Sequence, residues 1–408
     1  MKKIIGLICF VILLSCSSVD KKWAVPEHKF RIPVTVNSGA VERVEKPVEI
    51  RLDFSALQSD SAFQLMHRSV KVLETDSRGK VINTSVPAQL SPDSLEYAIA
   101  NLTFLMLGQT PKNSLRYFQV YLGNSDISTA MTEKQNVLSV ETEIEHEEQQ
   151  SFLVKSVKAT YYYHKFGAGF ASMEDVDGND WLSYNPGVGE ESNVGSGGMY
   201  RGLPNMGYPE GYCHPGKEVS KSWIVEHGPI KVSILSESND KKMRCMWDFF
   251  PNFARLTIVK LRTPYWFLYE GTPGGLLQED SDFCVRPGNI KTLCSESWNG
   301  DIDAQGEPGE WIYFGDVATN RSLFMVQHLD DEHTDSYWPM NHEMTVFGFG
   351  RLDLQKFMQR QNNKFTIGFV NSHDYDQVKK TIDSAYYPIE VTVGEFEKKL
   401  RSSAKHPK

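Results

Sequence analysis

The sequence is poor in the groups that announce most kinds of chemistry. Only six cysteines occur in 408 residues, and no two stand in a Cys-x-x-Cys spacing, so a zinc ribbon or a thioredoxin-type pair has no ligand frame. Gly-x-Ser-x-Gly, His-Glu-x-x-His and the phosphate-loop pattern are all missing, which removes the usual marks of a serine hydrolase, a helical zinc protease and a P-loop enzyme. There is no basic stripe and no Lys/Arg-rich helix, and the formal net charge is -9. A nucleic-acid partner, which needs concentrated positive charge, is excluded on that ground. Beyond the first residues no apolar run is long enough to span a bilayer. Helical periodicity is also scarce, confined to Leu352 to Arg360 and Asp376 to Ala385.

What is present begins at the second residue. Lys2 and Lys3 precede an apolar run from Ile4 to Leu14, and Leu13-Leu14-Ser15-Cys16 has the form of a lipobox. Residues 1–15 are expected to leave as a signal peptide, Cys16 to carry the lipid, and 16–28 to form a polar tether. A lipid tether holds a protein at a membrane without making it integral. The expected location is the cell envelope, at the outer membrane, with either face open. Cys9 leaves with the signal, so Cys213, Cys245, Cys284 and Cys294 remain in an oxidising compartment. Cys284 with Cys294, and Cys213 with Cys245, is one pairing; the spacing leaves connectivity open.

Period-two alternation runs through Phe30 to Val36, Val48 to Phe54, Val70 to Glu74 and Tyr117 to Leu122, with turn residues such as Ser77-Arg78-Gly79-Lys80 between. That pattern predicts a β-sandwich over 29–124. Residues 125–150, polar and rich in carboxylates toward Gln150, read either as a linker or as a solvated surface strand. From Ser151 the strands lengthen and a glycine-rich loop runs from Asn185 to Gly216; long loops inside compact domains usually carry function. Residues 151–396 form the second predicted domain, 397–408 a polar tail, and the fold class is all-β. Asp175, Asp177 and Asp180 imitate a calcium loop, but its twelfth position is Pro186, so a hairpin turn is the expectation.

Gly169-Phe170-Ala171-Ser172-Met173 leads through Asp175-Val176-Asp177-Gly178 into Trp181, and His227-Gly228-Pro229 leads into two long strands. In these features the second region resembles the β-supersandwich of galactose-mutarotase-like proteins and of several polysaccharide lyases. Together with the lipoprotein start and the small sandwich, it resembles enzymes of marine Bacteroidetes that break down algal polysaccharides, among them the oligosaccharide dehydratases of ulvan breakdown. The resemblance implies an acidic oligosaccharide as substrate. The 22 Phe, 17 Tyr and 8 Trp suit core packing and also rings that stack on sugars.

On a uronate the natural reaction is β-elimination. It needs a cation or amide on the carboxylate, a base for the C5 proton and an acid for the group leaving C4. Three clusters supply such groups. In Tyr161-Tyr162-Tyr163-His164, alternation puts Tyr162 and His164 on one face. The glycine-rich loop holds Tyr200, Arg201, Asn205, Tyr212 and His214, with Pro215 restricting the backbone of His214. The third runs from His328 through Asp330 and His333 to His342. The expected base is His214 or His164, the acid Tyr212 or Tyr162, and the carboxylate neutraliser Arg201 or Arg244; Tyr200, Asn205, Trp247 and His328 are expected to line the substrate site. No cofactor is required, although His328, His333 and His342 would be the ligands of a divalent metal if one were used. Two rival functions stand beside elimination. One is glycoside hydrolysis, by Asp248 paired with Glu270 or Asp330, and the other is non-catalytic glycan binding. No oligomeric state follows from the sequence.

Overall fold

The computed structural model describes residues 23–55, 70–92, 98–123, 137–186, 201–207, 211–299, 309–329, 333 and 335–399. The signal peptide, Cys16, the first half of the expected linker, Tyr200 and Asp330 lie outside these described residues. No helix among the described residues is long and apolar enough to cross a membrane.

Seven strands form the N-terminal unit: β1 (Phe30–Asn37), β2 (Arg43–Asp53), β3 (Val70–Thr75), β4 (Val81–Val86), β5 (Ala88–Pro92), β6 (Ile99–Thr110) and β7 (Leu115–Leu122). They make two facing sheets, with β1, β7, β3 and β4 adjacent in one and β2, β6 and β5 in the other. The alternation read in the sequence is the reason. Val48, Ile50 and Leu52 are buried while Glu49, Arg51 and Asp53 face outward, and Ile32, Val34, Phe104, Phe118 and Val120 meet them in a single core.

The next four strands are β8 (Ser139–His146), β9 (Gln149–Lys155), β10 (Thr160–His164) and β11 (Gly169–Glu174). They form one antiparallel sheet in the order β11-β10-β9-β8. The acidic stretch before Gln150 is thus a surface strand, with alternate residues exposed. Chain order continues with β12 (Ser220–His227), β13 (Val232–Ser238), β14 (Arg244–Phe249), β15 (Ala254–Lys260), β16 (Phe267–Gly271), β17 (Phe283–Arg286), β18 (Ile290–Leu293) and β19 (Trp298–Asn299). Then come β20 (Glu310–Asp316), β21 (Arg321–Gln327), β22 (Ser336–Met340), β23 (Met344–Phe349), β24 (Arg351–Leu352), β25 (Gln355–Lys356), β26 (Lys364–Val370), α1 (Tyr375–Tyr386), β27 (Glu390–Val393) and β28 (Glu397–Lys398).

A nine-stranded antiparallel sheet, β12-β13-β14-β15-β26-β21-β20-β17-β18, is the backbone of this second unit. The β8–β11 sheet and the four-stranded sheet β16-β23-β22-β19 cover one of its faces. Between them Tyr161, Tyr163, Phe170, Trp247, Phe249, Phe267, Tyr269 and Phe347 form a dry aromatic core. Each such ring removed from water stabilises by about 1.5–3 kcal/mol. On β20 the alternation divides the faces: Ile312 and Phe314 enter that core, whereas Trp311 and Tyr313 pack on Val378 and Ile382 of α1.

One expectation is corrected here. Leu352 to Arg360 is not helical; it holds the short β24–β25 hairpin, turned by positive φ at Asp353. The helix expected from Asp376 is present as α1, with the Asp374 side chain accepting from Gln377 N at its start.

The two units are tied by charge and by chain. Lys231 Nζ lies 3.1 Å from Glu49, 3.3 Å from Glu226 and 3.5 Å from Asp248. Arg255 bridges Glu49 at 2.6 Å and Asp248 at 3.3 Å. Arg43, fully buried, donates to the carbonyls of Ser38, Ser384, Tyr387 and Pro388, the last three at the end of α1. After α1 the chain returns, and β27 and β28 both pair with β1.

Candidate functional site

The β10–β11 hairpin gives the site its floor. Tyr161 and Tyr163 point into the core, while Tyr162 and His164 share the other face, where His146 of β8 stacks on Tyr162 with ring centroids 4.2 Å apart. The segment from Cys213 to Gly216 folds across the turn of this hairpin. A Cβ on Gly167 would stand 2.3 Å from the carbonyl oxygen of His214, and one on Gly169 2.8 Å from that of Cys213. Only glycine permits so close a passage. Gly216 N–H then donates to His164 Nδ1 at 3.0 Å.

Residues 201–207 run beside β16. Gly202 and Glu270 exchange backbone hydrogen bonds of 2.7 and 3.1 Å. This pairing brings Asn205 to Glu270, and Asn205 Nδ2 donates to Glu270 Oε2 at 2.6 Å. The carbonyl of Asn205 is held in turn by Trp266 Nε1 at 2.6 Å. On the same Oε2, at 3.8 Å, stands Nε2 of His214. Glu270, Asn205 and His214 are all buried.

Protonation follows from these partners. Burial pushes the Glu270 carboxyl up to about 8, against the opposing pull of the Asn205 amide and the Arg351 charge. Glu270 is therefore a protonated acid at neutral pH. His214 Nδ1 contacts the carbonyl of Pro215 at 2.6 Å; a carbonyl only accepts, so Nδ1 carries hydrogen, and in the neutral form of the ring Nε2 is the acceptor. His164 is in the opposite tautomer. Its Nδ1 accepts from Gly216, so Nε2 carries the proton, and that atom is buried near the backbone of His146. Burial, with the nearby His146, lowers His164 to about 3 and keeps it neutral. The site thus offers an acid in Glu270, a base in His214 Nε2 and a neutral N–H donor in His164.

Arginines flank it. Arg201, half-buried, donates from Nη1 to the Ser183 carbonyl at 3.0 Å, and its Nε has no hydrogen-bond partner among the described residues. Arg351 is buried beneath Trp338 at 3.9 Å and Trp266 at 5.1 Å from the ring centroids. Burial pushes it down to about 10, with Glu270 and Asp353 acting against that.

No family model matches this chain, and no curated protein does. Solved structures similar to it include that of HI1317, with a TM-score of 0.39 and 12% identity over 57% of this chain and 99% of the other. Another is the galactose mutarotase related enzyme from Lactobacillus acidophilus, with a TM-score of 0.34 and 8% identity over 55% of this chain and 99% of the other. Likenesses this distant assign no role to any residue, and the function is argued from the site alone.

Of the residues singled out in the sequence, the structure gathers His164, Tyr162, Arg201, Asn205 and His214 around the hairpin and β16. It takes others away. The hydroxyl of Tyr212 is committed to Asp240 in the β13–β14 turn, so Tyr212 is not the free acid it was expected to be. Trp247 is fully buried against Phe170, 4.6 Å between centroids, and is core rather than sugar platform. Arg244 pairs with Glu237 across β13 and β14, on the face turned away from the aromatic core. The three histidines expected to share a metal are dispersed. His328 bonds Thr366 at 2.8 Å, His333 stacks on Phe357 at 4.6 Å, and His342 pairs with Glu279 at 2.8 Å. Among the described residues no group of His, Cys, Asp or Glu is arranged to hold a metal ion. Asp175 closes its own turn, accepting from Asp177 N and Asn179 N and pairing with Arg321. Asp248 is occupied by Lys231 and Arg255. Sequence reasoning named Glu270 only as half of a hydrolytic carboxylate pair and missed Arg351 altogether. One signal was available for Glu270: it is the only charge in an otherwise apolar strand, Phe267-Leu268-Tyr269-Glu270-Gly271, buried throughout.

Proposed function

We propose that this chain is a carbon–oxygen lyase that acts by β-elimination on uronate-containing oligosaccharides of the algal, ulvan-like class. The observation that carries the reading is a buried carboxyl, pushed up to about 8 by burial, with Nε2 of an imidazole 3.8 Å away. In this reading His214 Nε2 takes the C5 proton. The C5–H electron pair becomes the C4–C5 double bond, the C4–O bond breaks, and the leaving oxygen takes the proton of Glu270. Arg201 and the His164 N–H neutralise the uronate carboxylate, which makes the C5 proton acidic. His214 then returns its proton to Glu270 and the pair is reset. A sugar as leaving group makes the enzyme a depolymerising lyase; a hydroxyl leaves as water and makes it a dehydratase. The anchor at Cys16 would hold the enzyme in the cell envelope, where such oligomers arrive.

The test is incubation with acidic algal glycans and their oligomers. The expected result is a rise in the ultraviolet absorbance of a conjugated unsaturated uronate, lost in Glu270→Gln and in His214→Ala. Mass spectrometry separates the two outcomes, because a dehydratase removes water without shortening the chain. New reducing ends without that absorbance would overturn the reading in favour of hydrolysis, and retention without turnover would leave a binding protein.

A further inference from the structure

Next to the proton-transfer pair lie two sulfurs that the elimination chemistry does not use. Cys213 immediately precedes His214 in the segment that crosses Gly167 and Gly169. Cys245 lies on β14, facing the core, in register with Ser236 of β13. Their Sγ atoms are 3.4 Å apart and both residues are buried. The surroundings are uncharged: Tyr163, the nearest polar ring, spends its hydroxyl on Ser236 at 2.7 Å. Nothing there explains two thiols in contact as metal ligands. A bond between them needs the sulfurs to close from 3.4 Å to ~2.05 Å.

We propose that Cys213 and Cys245 are joined by a disulfide in the working protein, and that this bond ties the His214 segment to the nine-stranded sheet. Formation removes one proton and one electron from each thiol. The two electrons reduce an external disulfide, either a small molecule or an oxidoreductase, to two thiols through a mixed disulfide. Burial disfavours the thiolate in the folded chain, so the bond forms while the chain folds and is afterwards shielded from reductants. The tie adds a covalent link to a segment held against the hairpin by close backbone packing and the Gly216–His164 hydrogen bond. Its value for catalysis rests on the elimination reading; the bond itself does not.

The full chain, unfolded and refolded in a reduced/oxidised glutathione buffer, is alkylated with iodoacetamide in denaturant and digested with trypsin without reduction. The expected product joins peptide 202–217 to peptide 245–255. Carbamidomethyl groups on Cys213 and Cys245 in most of the material would overturn the bond. Amide hydrogen exchange tests the tie. Cys213→Ser and Cys245→Ser are each expected to speed exchange at 211–216 by about tenfold or more, with β10 unchanged. Equal exchange in cross-linked and variant protein would overturn the positioning role. Neither readout depends on turnover, so failure of the elimination reading leaves both intact.

Discussion

A single carboxyl group dominates the chemistry of this molecule, and its effects are measurable apart from any substrate. Glu270 ionises near the ordinary carboxylate range when unfolded but holds its proton to about 8 when folded. The folded chain therefore binds the extra proton between those limits, and stability falls as pH rises through them. Glu270→Gln, which keeps the shape and cannot ionise, is expected to abolish that slope. Thermal melts should place the variant above the wild type at pH 8 and beyond, by on the order of a few kcal/mol. Turnover should fall by about 10²–10⁴-fold in the same variant. In the wild type, turnover should decline as pH rises past about 8, because the acid is lost. His214 was readable from the sequence, since a histidine before proline in a glycine-rich loop has a restricted backbone. Glu270 was named only as a possible partner of Asp248 in hydrolysis, because its setting depends on Asn205 and His214 arriving from far along the chain.

At the scale of elements, alternation was the legible signal and convergence was not. The Tyr161-to-His164 run divides its faces as period two requires, with Tyr161 and Tyr163 inward and His164 beside His146. In β14 alternation puts Arg244 and Trp247 on opposite faces, but it does not say which face meets the core. Only the partner sheets decide that, and they put Trp247 inside. The helix from residue 375 was legible because Asp374 caps it and Val378 and Ile382 recur on one face. The false helix at Leu352 failed because Asp353 takes a positive φ beside Gly350 and turns the chain too soon. Arg43 explains how α1 is held: it satisfies three carbonyls at the helix end and one in its own loop. Arg43→Leu leaves those carbonyls without their donor. It is expected to cost about 3–5 kcal/mol, read as a lower urea midpoint at unchanged slope.

In the whole molecule, the join between the two units is ionic and therefore sensitive to acid. Burial alone would raise the Glu49 carboxyl, but Arg255 and Lys231 pull it down to about 2. Its contribution is complete above the ordinary carboxylate range and is lost as pH falls toward about 2. Glu49→Gln should cost about 1–2 kcal/mol at pH 7, a figure reduced for its exposed edge, and should make stability less steep between pH 4 and 2. Chemical denaturation at several pH values measures both. None of this was open to sequence reading, because Glu49 is separated from Lys231 and Asp248 by most of the first sandwich and the β8–β11 sheet.

The pairing of β27 with β1 has a consequence for biosynthesis and damage. On its side away from β7, β1 receives a neighbour only from residues 390–398, so the N-terminal sheet stays open along that side until those residues have been synthesised. A protease cut after α1 would bare the same side, exposing unpaired amides and carbonyls to any extended strand nearby. A second copy of the chain carries just such a strand, and clipped protein is the form in which head-to-tail polymers should begin.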